Sequence, residues 1–299
     1  MKKVLSILSY VLCLAVVLST VFFPKEKESE VQPTVVRVWN VDTFEGGKGS
    51  RTAFLKKCAK IAQGKTSCRY LVTSYTKEGA IDAKQRGEVP DILSFGIGLD
   101  VFLENTLALN GTFIGGQIDG KTYAVPWCRG GYYLFSLTDF EGEGECAISC
   151  GGDNLTEVSA AMSDITGKCL PSLTAYVQFL NGEFAYLLGT QRDICRFSAR
   201  GVSVQSKELI AYNDLYQYCS VLTQDKWEEC RLFLEVLFSD EVQNTLDSIG
   251  MKSVFQDGKN DATAYTTSVF LSDQARGELR SLASKNERDK MLANFIKKV

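Results

Sequence analysis

The sequence predicts an α/β fold in which a parallel β-sheet is flanked by helices. Three observations support this class. Runs with β propensity alternate with amphipathic helical stretches, the joints between them are short and contain glycine, and 299 residues suffice for two modest lobes. Ligands of such folds bind beyond the carboxyl ends of the strands. The residues that follow each predicted strand are therefore the first candidates for a binding site.

The first part of the sheet is predicted between residues 35 and 109. Residues 35–39 form a compact β run, and residues 50–62 place their apolar side chains on one helical face after a glycine-rich turn. The pattern then predicts a strand at 68–74, a short helix at 81–85, a strand at 91–95 and a helix at 99–109. This alternation indicates parallel strands connected by crossover helices.

The remainder of the chain is less regular. Residues 141–167 are rich in Gly, Ser, Asp and Asn and have little periodicity, so a loop region is expected there. The other predicted elements are extended segments at 122–126 and 131–137, a helix at 172–180, a strand at 184–188, a helical or mixed segment at 190–200, a helical series at 213–223, 225–239 and 240–249, and a mostly helical stretch at 271–298.

The amino-terminal segment is expected to be a targeting or anchoring segment and not part of the fold. Residues 4–23 carry no charge and follow two lysines, and as a helix they would reach about 30 Å, which matches a bilayer core. No A-x-A cleavage site is evident, and Cys13 lies within the run, where it does not fit a lipoprotein signal. We expect an uncleaved anchor in preference to a cleaved signal over residues 1–24, a polar tether over 25–34, and an exported remainder at the extracellular face.

The composition limits the possible functions. The formal net charge is −3, the sequence pI is about 5.3 and there is no basic stripe, so nucleic acid is not expected as a partner. The chain contains no histidine, which excludes Ser-His and Cys-His nucleophile pairs and zinc sites that need imidazole. We expect no catalytic residue, no cofactor and no metal.

The ten cysteines show no C-x-x-C spacing. Cys146 and Cys150 are the closest pair, and a tetrahedral metal site would need two more ligands at a recognisable spacing. Free, buried cysteines that act as small hydrophobic residues are the expectation, and disulfide pairing stays open.

Two segments match the residue patterns of catalytic motifs but lack the structural context that those motifs require. Residues 115–122 fit the phosphate-loop pattern G-x-x-x-x-G-K-[ST], but that motif requires a helix to begin at its lysine, and Pro126 disfavours one. Asp119-Gly120 instead predicts a hairpin turn between residues with β propensity. Residues 74–77 fit S-x-x-K, but the S-D-N and K-T-G elements of those serine enzymes do not occur.

Polar and aromatic residues follow the first and third predicted strands. The first strand runs into WNVDTFEGG at 39–47, and the third ends in SFGIG at 94–98. Rings, amides, hydroxyls and glycine backbone suit a neutral polyhydroxylated ligand, although ordinary glycine-rich turns are the alternative. Asp42, Glu45 and Asp91 are expected near this cleft, and paired carboxylates about 5–10 Å apart hydrolyse glycosides, so a glycan-active enzyme is a second hypothesis.

Four segments resemble a known family. The stretch DGKTYAVP at 119–126 resembles a signature of extracellular solute-binding proteins of the maltose-binding type, which serve ABC importers. The further similar segments, in family order, are GEVPDILSFG at 87–96, LNGEFAYLLGTQR at 180–192, and FLEVLFSDEVQ at 233–243 with the turn at 249–251. Each motif alone is weak, but four in sequence are fairly specific.

The resemblance implies a type II periplasmic-binding-protein fold, with two α/β lobes, a hinge and an interlobe cleft that closes on its ligand. Lobe 1 would span residues 35–126, and residues 127–299 would form lobe 2, the hinge and C-terminal helices that return to lobe 1. The chain is shorter than the usual member, and the reduction is expected around 141–168. The family also implies a small polar ligand such as a sugar, an ABC permease partner and a monomer.

Ligand contacts are expected from both lobes. Trp39 and Trp127 would stack on sugar faces, while a hinge-core role is the alternative for Trp127. Arg192 would donate hydrogen bonds, with a structural ion pair as the alternative. The contacts that the resemblance implies are Trp39, Asn40, Glu45, Gly46, Ser94, Gly96, Trp127, Arg129, Thr190, Gln191, Arg192, Tyr212 and Asn213. A degenerate sensor or scaffold of the same fold is the third hypothesis.

Overall fold

The structure is a computed structural model that describes residue 12 and residues 33–113, 115–254, 265–281 and 296–298. Residues 35–299 form one unit. Among the described residues, no helix is long and apolar enough to cross a membrane. The expected signal or anchor at 1–24 and the tether at 25–34 lie outside the described residues, apart from residues 12, 33 and 34.

Two mixed sheets with helices on their faces organise the chain. In chain order the strands are β1 (Val35–Val41), β2 (Arg69–Tyr75), β3 (Ile92–Phe95), β4 (Gln117–Ile118), β5 (Lys121–Thr122), β6 (Val125–Arg129), β7 (Tyr132–Ser136), β8 (Cys146–Cys150), β9 (Lys168–Pro171), β10 (Tyr186–Thr190), β11 (Gln205–Glu208), β12 (Tyr216–Val221), β13 (Tyr265–Thr267) and β14 (Ile296–Lys298). The α-helices are α1 (Arg51–Gln63), α2 (Lys77–Gln85), α3 (Thr156–Met162), α4 (Ser172–Leu180), α5 (Gln191–Ala199), α6 (Trp227–Leu237), α7 (Asp240–Gln243) and α8 (Asp273–Ser281). Short 3-10 helices cover Asp100–Asn105 and Leu246–Ile249.

The first sheet has the strand order β2-β1-β3-β12-β6. β1 pairs in parallel with β2 and β3, so Asn40 lies opposite Ser74 on one side and Ser94 on the other. β12 runs antiparallel to β3 and β6. The carboxyl ends of β1 and β3 therefore lie at the same edge, and the loops that follow Val41 and Phe95 meet there.

The second sheet has the strand order β11-β7-β10-β8-β9. β8 pairs in parallel with β9 and β10, while β7 is antiparallel to β10 and β11. A separate apolar cluster packs against this sheet and includes Phe135, Phe179 and Phe197, all nearly inaccessible to solvent. The carboxyl ends of β8 and β9 share one edge, and the chain continues there into a glycine-containing loop and into α4.

The connections between the sheets form the hinge. The chain leaves the first sheet after β6, builds the second sheet from β7 to β11, and returns with β12. Each sheet with its helices is one α/β lobe. Since β12 belongs to the first sheet, the predicted second segment, 127–299, contributes strands to both lobes.

Helix starts follow local sequence signals. Ser50 caps α1 by accepting a hydrogen bond from the Ala53 amide, and Thr76 caps α2 through the Gly79 amide. α5 begins with a reciprocal capping box between Thr190 and Asp193. This box fixes the direction of α5 as it leaves β10, and it determines where the next residues of the helix point.

The hairpin predicted at Asp119-Gly120 is present. Both residues have positive φ, 47° and 75°, as a type I′ turn requires, and they join β4 to β5. No helix starts at Lys121 or Thr122, because both belong to β5. The rejection of a phosphate loop at 115–122 is therefore confirmed.

Several predicted elements were wrong. The expected loop at 141–167 contains β8 and α3, and the helix expected at 213–223 contains the strand β12. All six residues of β12 are buried because this strand lies between β3 and β6, and full burial removes the alternation that identifies a half-exposed strand. The helix expected at 99–109 is only the 3-10 helix Asp100–Asn105, and the stretch at 271–298 includes β14 as well as α8.

Candidate ligand-binding cleft

A cavity of about 230 Å³ lies between the two lobes. Its first wall follows β1, and its second wall follows β8 and begins α4. The lining residues are Asp42, Thr43, Phe44, Glu45, Gly151, Gly152, Asp153, Asn154 and Ser172. Both walls come from the carboxyl ends of strands, where ligands of open α/β sheets bind.

Arg51 shapes the first wall from behind. Its guanidinium lies 4.1 Å from the centre of the Phe44 ring and donates a hydrogen bond to the Phe44 backbone oxygen. The Arg51 side chain is only 2% exposed, so it is a fixed support and not a mobile surface group. Gly96 permits a second close approach, because a Cβ at this position would lie 2.2 Å from the Thr43 hydroxyl.

Each carboxylate that lines the cavity has an arginine partner. The pairs are Asp42 with Arg51 at 2.7 Å, Asp153 with Arg276 at 2.9 Å, and Glu45 with Arg192. An ion pair cancels most of the net charge of a carboxylate while leaving oxygen lone pairs available as acceptors. The lining is therefore polar without being strongly anionic.

Helix α8 supports the second wall. In addition to the ion pair that Arg276 makes with Asp153, Arg280 donates a hydrogen bond to the backbone oxygen of Asn154 at 2.7 Å. At its first residue, α8 is joined to the first lobe by the Lys77–Asp273 ion pair, 2.6 Å long. α8 thus contacts the second wall of the cleft and is also tied to the first lobe.

Gln191 and Arg192 connect the lobes directly at the start of α5. Gln191 Nε2 donates to the backbone oxygen of Glu45 at 2.9 Å, and its Oε1 accepts from the Gly131 amide at 3.0 Å. Arg196 adds a longer ion pair to Glu45, at 3.8 Å. Burial, followed by the neighbouring Arg196 charge, lowers the pKa of Arg192 from its usual value. The interlobe contact thus combines a buried amide with a partly exposed ion pair.

A buried polar network lies behind the first wall. Ser94 Oγ donates to Asn40 Oδ1 at 2.9 Å and accepts from Trp127 Nε1 at 3.2 Å. Gln217 Nε2 is 3.0 Å from Ser94 Oγ and 3.3 Å from Asn40 Oδ1. Asn40 Nδ2 in turn donates to Asp42 Oδ1 at 2.9 Å. The network therefore positions a carboxylate of the cavity.

The two predicted stacking tryptophans are core residues. Trp39 is 4% exposed, and its ring centre lies 4.3 Å from that of Tyr75. Trp127 is fully buried and stacks on Phe54 at 5.6 Å. Neither belongs to the lining of the described cavity, so a ligand contact by either tryptophan stays a prediction.

The residues predicted near the crossover lie at the hinge. Arg129 pairs with Glu208 at 2.9 Å, and Asn213 Nδ2 donates to the Gly130 backbone oxygen at 3.2 Å. Tyr212 is fully buried and stacks on Tyr132, with ring centres 6.5 Å apart. These contacts fasten the two crossovers to each other.

Among the predicted contacts, the structure brings Glu45, Gln191 and Arg192 together at the cleft, with Thr190 as the cap of α5. Asn40 and Ser94 lie in the network behind the wall. Gly46 follows Glu45, but it is not part of the cavity lining.

Asp91 was wrongly expected near the cleft. It lies directly before β3, accepts a hydrogen bond from the Arg37 amide at 2.7 Å and pairs with Lys226 at 3.0 Å. The cavity is at the opposite end of β3, which is about 13 Å away along a four-residue strand. Asp91 therefore cannot pair with Asp42 or Glu45.

The residues of the second wall were not among the predicted ligand contacts. Gly151, Gly152, Asp153 and Asn154 repeat the combination of glycine and polar residues that follows β1, and they come directly after Cys146–Cys150. That similarity was the available signal. The region 141–167 has little periodicity, so its sequence does not indicate β8, the strand that these residues follow.

Comparisons with known proteins identify the fold. No protein-family model and no curated protein sequence matches the chain. Among solved structures, the maltose-maltodextrin binding protein of Alicyclobacillus acidocaldarius has 11% sequence identity and a TM-score of 0.54, with 87% of this chain and 99% of that chain covered. Iron-bound HitA from Pseudomonas aeruginosa has 14% identity and a TM-score of 0.49, with 88% and 99% covered. The GacH receptor of Streptomyces glaucescens has 13% identity and a TM-score of 0.47, with 74% and 80% covered.

The likeness to the maltose-maltodextrin binding protein concerns the fold. The chain has the periplasmic-binding-protein fold, with two α/β lobes, a hinge and a cleft between them. The resemblance to solute-binding proteins that the sequence motifs indicated is thus confirmed at the level of the fold.

Proposed function

We propose that this protein binds one small, neutral, polyhydroxylated ligand, a carbohydrate, in the cavity between its lobes and releases it unchanged to an ABC permease. The observation that carries the proposal is the cavity itself. It lies at the carboxyl ends of strands from both sheets and is lined by carboxylates that are already paired with arginines.

The charge arrangement favours a neutral ligand. An anionic ligand would meet Asp42, Glu45 and Asp153, and a cationic ligand would compete with the arginines that hold them. A sugar hydroxyl donates to a carboxylate oxygen without disturbing the ion pair. Thr43 and Ser172 add hydroxyls that both donate and accept, so the lining offers several positions for a polyol.

The volume of the cavity and one hydrogen-bond acceptor without a partner also favour a sugar ligand. Pockets for drug-sized ligands span roughly 300–1,000 Å³, so a cavity of about 230 Å³ suits a ligand of about one sugar ring. Asn154, which lines the cavity, has a buried Oδ1 that accepts no hydrogen bond from any described residue. A ligand hydroxyl would supply that donor and remove the cost of a buried acceptor without a partner.

The geometry supports binding over hydrolysis. Glycoside hydrolysis needs one protonated and one ionised carboxyl group on opposite sides of the bond. Each carboxylate of this cavity is held in an ion pair with an arginine, and Asp91 lies at the other end of β3, so the described lining offers no pair of free carboxyl groups. A clamp without catalysis is therefore the better account of the cleft.

A thermal-unfolding screen tests the ligand class. Neutral monosaccharides and disaccharides, uronic acids, sugar phosphates and amino acids would be added to the full chain in mild detergent. A bound ligand stabilises by RT ln(1 + [L]/Kd), about 2.7 kcal/mol at a hundred times Kd. We expect stabilisation by a neutral sugar and none by the uronic acid or the phosphate. Stabilisation by a charged compound alone would refute the proposed ligand class.

A matched pair of variants ties binding to the cavity. Asn154→Leu removes the unused acceptor, whereas Asn181→Leu makes the same change at an exposed residue after α4 in the same lobe. Calorimetric titration should show a Kd weaker by about five- to a hundred-fold for the first variant only, since losing a buried hydrogen bond costs about 1–3 kcal/mol. Equal ligand affinities of the two variants would show that the ligand does not bind in this cavity.

The same samples separate the alternatives. Chromatography of labelled oligosaccharides after incubation should show no new products, and turnover would favour a glycan-active enzyme. If no compound in a broad sugar and peptide panel stabilises the protein, the degenerate sensor or scaffold becomes the better hypothesis.

Transport is the remaining part of the proposal. Delivery to a permease and a location at the extracellular face are supported by the fold and by the uncharged segment at 4–23. Crosslinking of ligand-loaded protein in intact cells should recover a membrane permease, and the recovery should fall without ligand.

A further inference from the structure

Two cysteines and a glutamate converge at the edge of the second sheet. Cys150 is the last residue of β8, Cys169 lies in the neighbouring strand β9, and Glu157 is in the first turn of α3. The two sulfur atoms and a carboxylate oxygen of Glu157 all lie within 4.8 Å of one another. Such a spacing lets three groups contact one ion simultaneously.

The strand register explains why the two thiols meet. β8 and β9 are parallel, with Ile148 opposite Cys169 and Cys150 opposite Pro171. Side chains two positions apart share one face of a sheet, so Cys150 and Cys169 are diagonal neighbours on the same face. No local spacing in the sequence reveals this pair.

The state of Glu157 is a second, independent observation. Its Oε2 atom is buried and has no hydrogen-bond partner among the described residues, and the thiol of Cys150 is the polar group beside this carboxyl. A buried carboxylate oxygen without a partner is costly unless a cation compensates it. The two neighbouring thiols are common metal ligands, so together with this oxygen they could bind such a cation.

We propose that Cys150, Cys169 and Glu157 form a binding site for Zn²⁺. Two thiolates and one carboxylate oxygen supply three of the four ligands of a tetrahedral zinc ion, and water completes the set. Mg²⁺ and Ca²⁺ prefer oxygen ligands only, and Cu⁺ prefers sulfur without carboxylate, so the mixed donors favour zinc. Cys169 is exposed, which gives the ion a route to the site.

The position of the site suggests what the ion does. Cys150 and Glu157 bracket the loop that contains Gly151–Asn154, and Cys169 precedes Ser172 by three positions. Zinc would therefore fasten both parts of the second cleft wall to each other. The site stands on its own contacts and does not depend on the proposed ligand.

The experiment measures zinc binding by the full chain, reduced with a phosphine and stripped with a chelator. Competition with a chromophoric chelator gives the stoichiometry and Kd, and Co²⁺ serves as a spectroscopic probe for thiolate ligands. The variants are Cys150→Ser, Cys169→Ser and Glu157→Gln. Cys195→Ser is the matched control, because Cys195 is a half-buried thiol outside the cluster. Circular dichroism checks that each variant is folded.

We expect one Zn²⁺ per chain, a thiolate–cobalt charge-transfer band, and loss of both in either cluster cysteine variant but not in the control. Glu157→Gln keeps the thiols and should weaken binding roughly ten-fold or more. Zinc should also protect Cys150 and Cys169, but not Cys195, from alkylation in peptide mass mapping. Unchanged zinc binding in the Cys150→Ser and Cys169→Ser variants would overturn the proposal. So would a Cys150–Cys169 disulfide in protein isolated without reductant, since those sulfur atoms would no longer be available.

Discussion

Gln191 in the second lobe donates a hydrogen bond from its Nε2 to the backbone oxygen of Glu45 in the first lobe, 2.9 Å away. The same side chain accepts from the Gly131 amide beside the hinge and is only 6% exposed. One buried amide group therefore forms hydrogen bonds both across the cleft and to the crossover. It is suited to stabilise the arrangement in which the lobes are in contact.

Replacing Gln191 with alanine should favour separation of the lobes. The change leaves the Gly131 amide and the Glu45 carbonyl without this partner, which costs about 1–3 kcal/mol. In small-angle scattering, the ligand-free variant should have a larger radius of gyration, and its ligand should bind roughly five- to a hundred-fold more weakly. Gln63→Ala, at an exposed position at the end of α1, is the control. An unchanged radius and affinity would contradict the role of Gln191.

Ser94→Ala tests the network behind the first wall. The Ser94 hydroxyl contacts Asn40, Trp127 and Gln217, so its loss leaves buried polar atoms with fewer partners while creating almost no cavity. The free energy of unfolding in urea should fall by about 1–3 kcal/mol. Ser206→Ala, at an exposed position on β11, should change it by less than about 0.5 kcal/mol. Equal effects of the two substitutions would show that the network contributes nothing specific.

The part of the first lobe from β1 to β3 was the predictable part of the molecule. β1, α1, β2 and β3 follow regular apolar patterns, and the Asp119-Gly120 turn carries its own backbone requirement. β12 was missed because its neighbours in the first sheet bury both of its faces, and those neighbours are remote in sequence. Local patterns report on a half-exposed surface, whereas the partners of a central strand are set by tertiary structure.

The binding site likewise has one wall that the sequence predicts and one wall that it does not. Glu45 follows a recognisable strand, so the first wall was accessible to sequence reasoning, and the family resemblance added Gln191. The second wall depends on β8, and without that strand Asn154 had no predicted position. Spacing along the chain pairs Cys150 with Cys146, its nearest cysteine in sequence. The register of β8 and β9 instead places Cys150 beside Cys169.

Glu208 should make the hinge sensitive to acid. Burial would raise the pKa of Glu208, but hydrogen bonds from Lys252 at 2.5 Å and Arg129 at 2.9 Å outweigh burial and lower it. A carboxyl group whose pKa is lower in the folded state stabilises the fold above its unfolded pKa, and this contribution is lost as the pH falls through the folded pKa.

Glu208→Gln should therefore lower the free energy of unfolding by about 1–2 kcal/mol at pH 7, and by less below about pH 4. Urea unfolding at a series of pH values measures the difference. Glu241→Gln, an exposed carboxyl in the first turn of α7, is the control and should show little change. A difference between wild type and Glu208→Gln that does not shrink in acid would contradict this account.

Asp214 should have the opposite signature. It is buried at the hinge, where desolvation raises its pKa from 3.8 to about 6 even though Tyr132 donates a hydrogen bond to it at 2.6 Å. The folded protein therefore holds this proton more tightly than the unfolded chain does between about pH 4 and pH 6. Across that range, the contribution of Asp214 to stability decreases as the pH rises, by up to about 3 kcal/mol at 1.36 kcal/mol per unit.

The Asp214→Asn variant removes the ionisation while keeping an oxygen acceptor for Tyr132. It should be more stable than the wild type at pH 8, by about 1–3 kcal/mol, and the advantage should disappear near pH 3, where the wild-type carboxyl is mostly protonated in both states. Paired urea titrations at these two pH values measure the change. Tyr132→Phe supplies the complementary test: without its hydrogen bond the Asp214 pKa should rise further, and the stability lost between pH 4 and pH 8 should increase. An Asp214→Asn variant that is less stable than the wild type at pH 8 would show that the ionised carboxylate is stabilised by its surroundings, contrary to the effect of its burial.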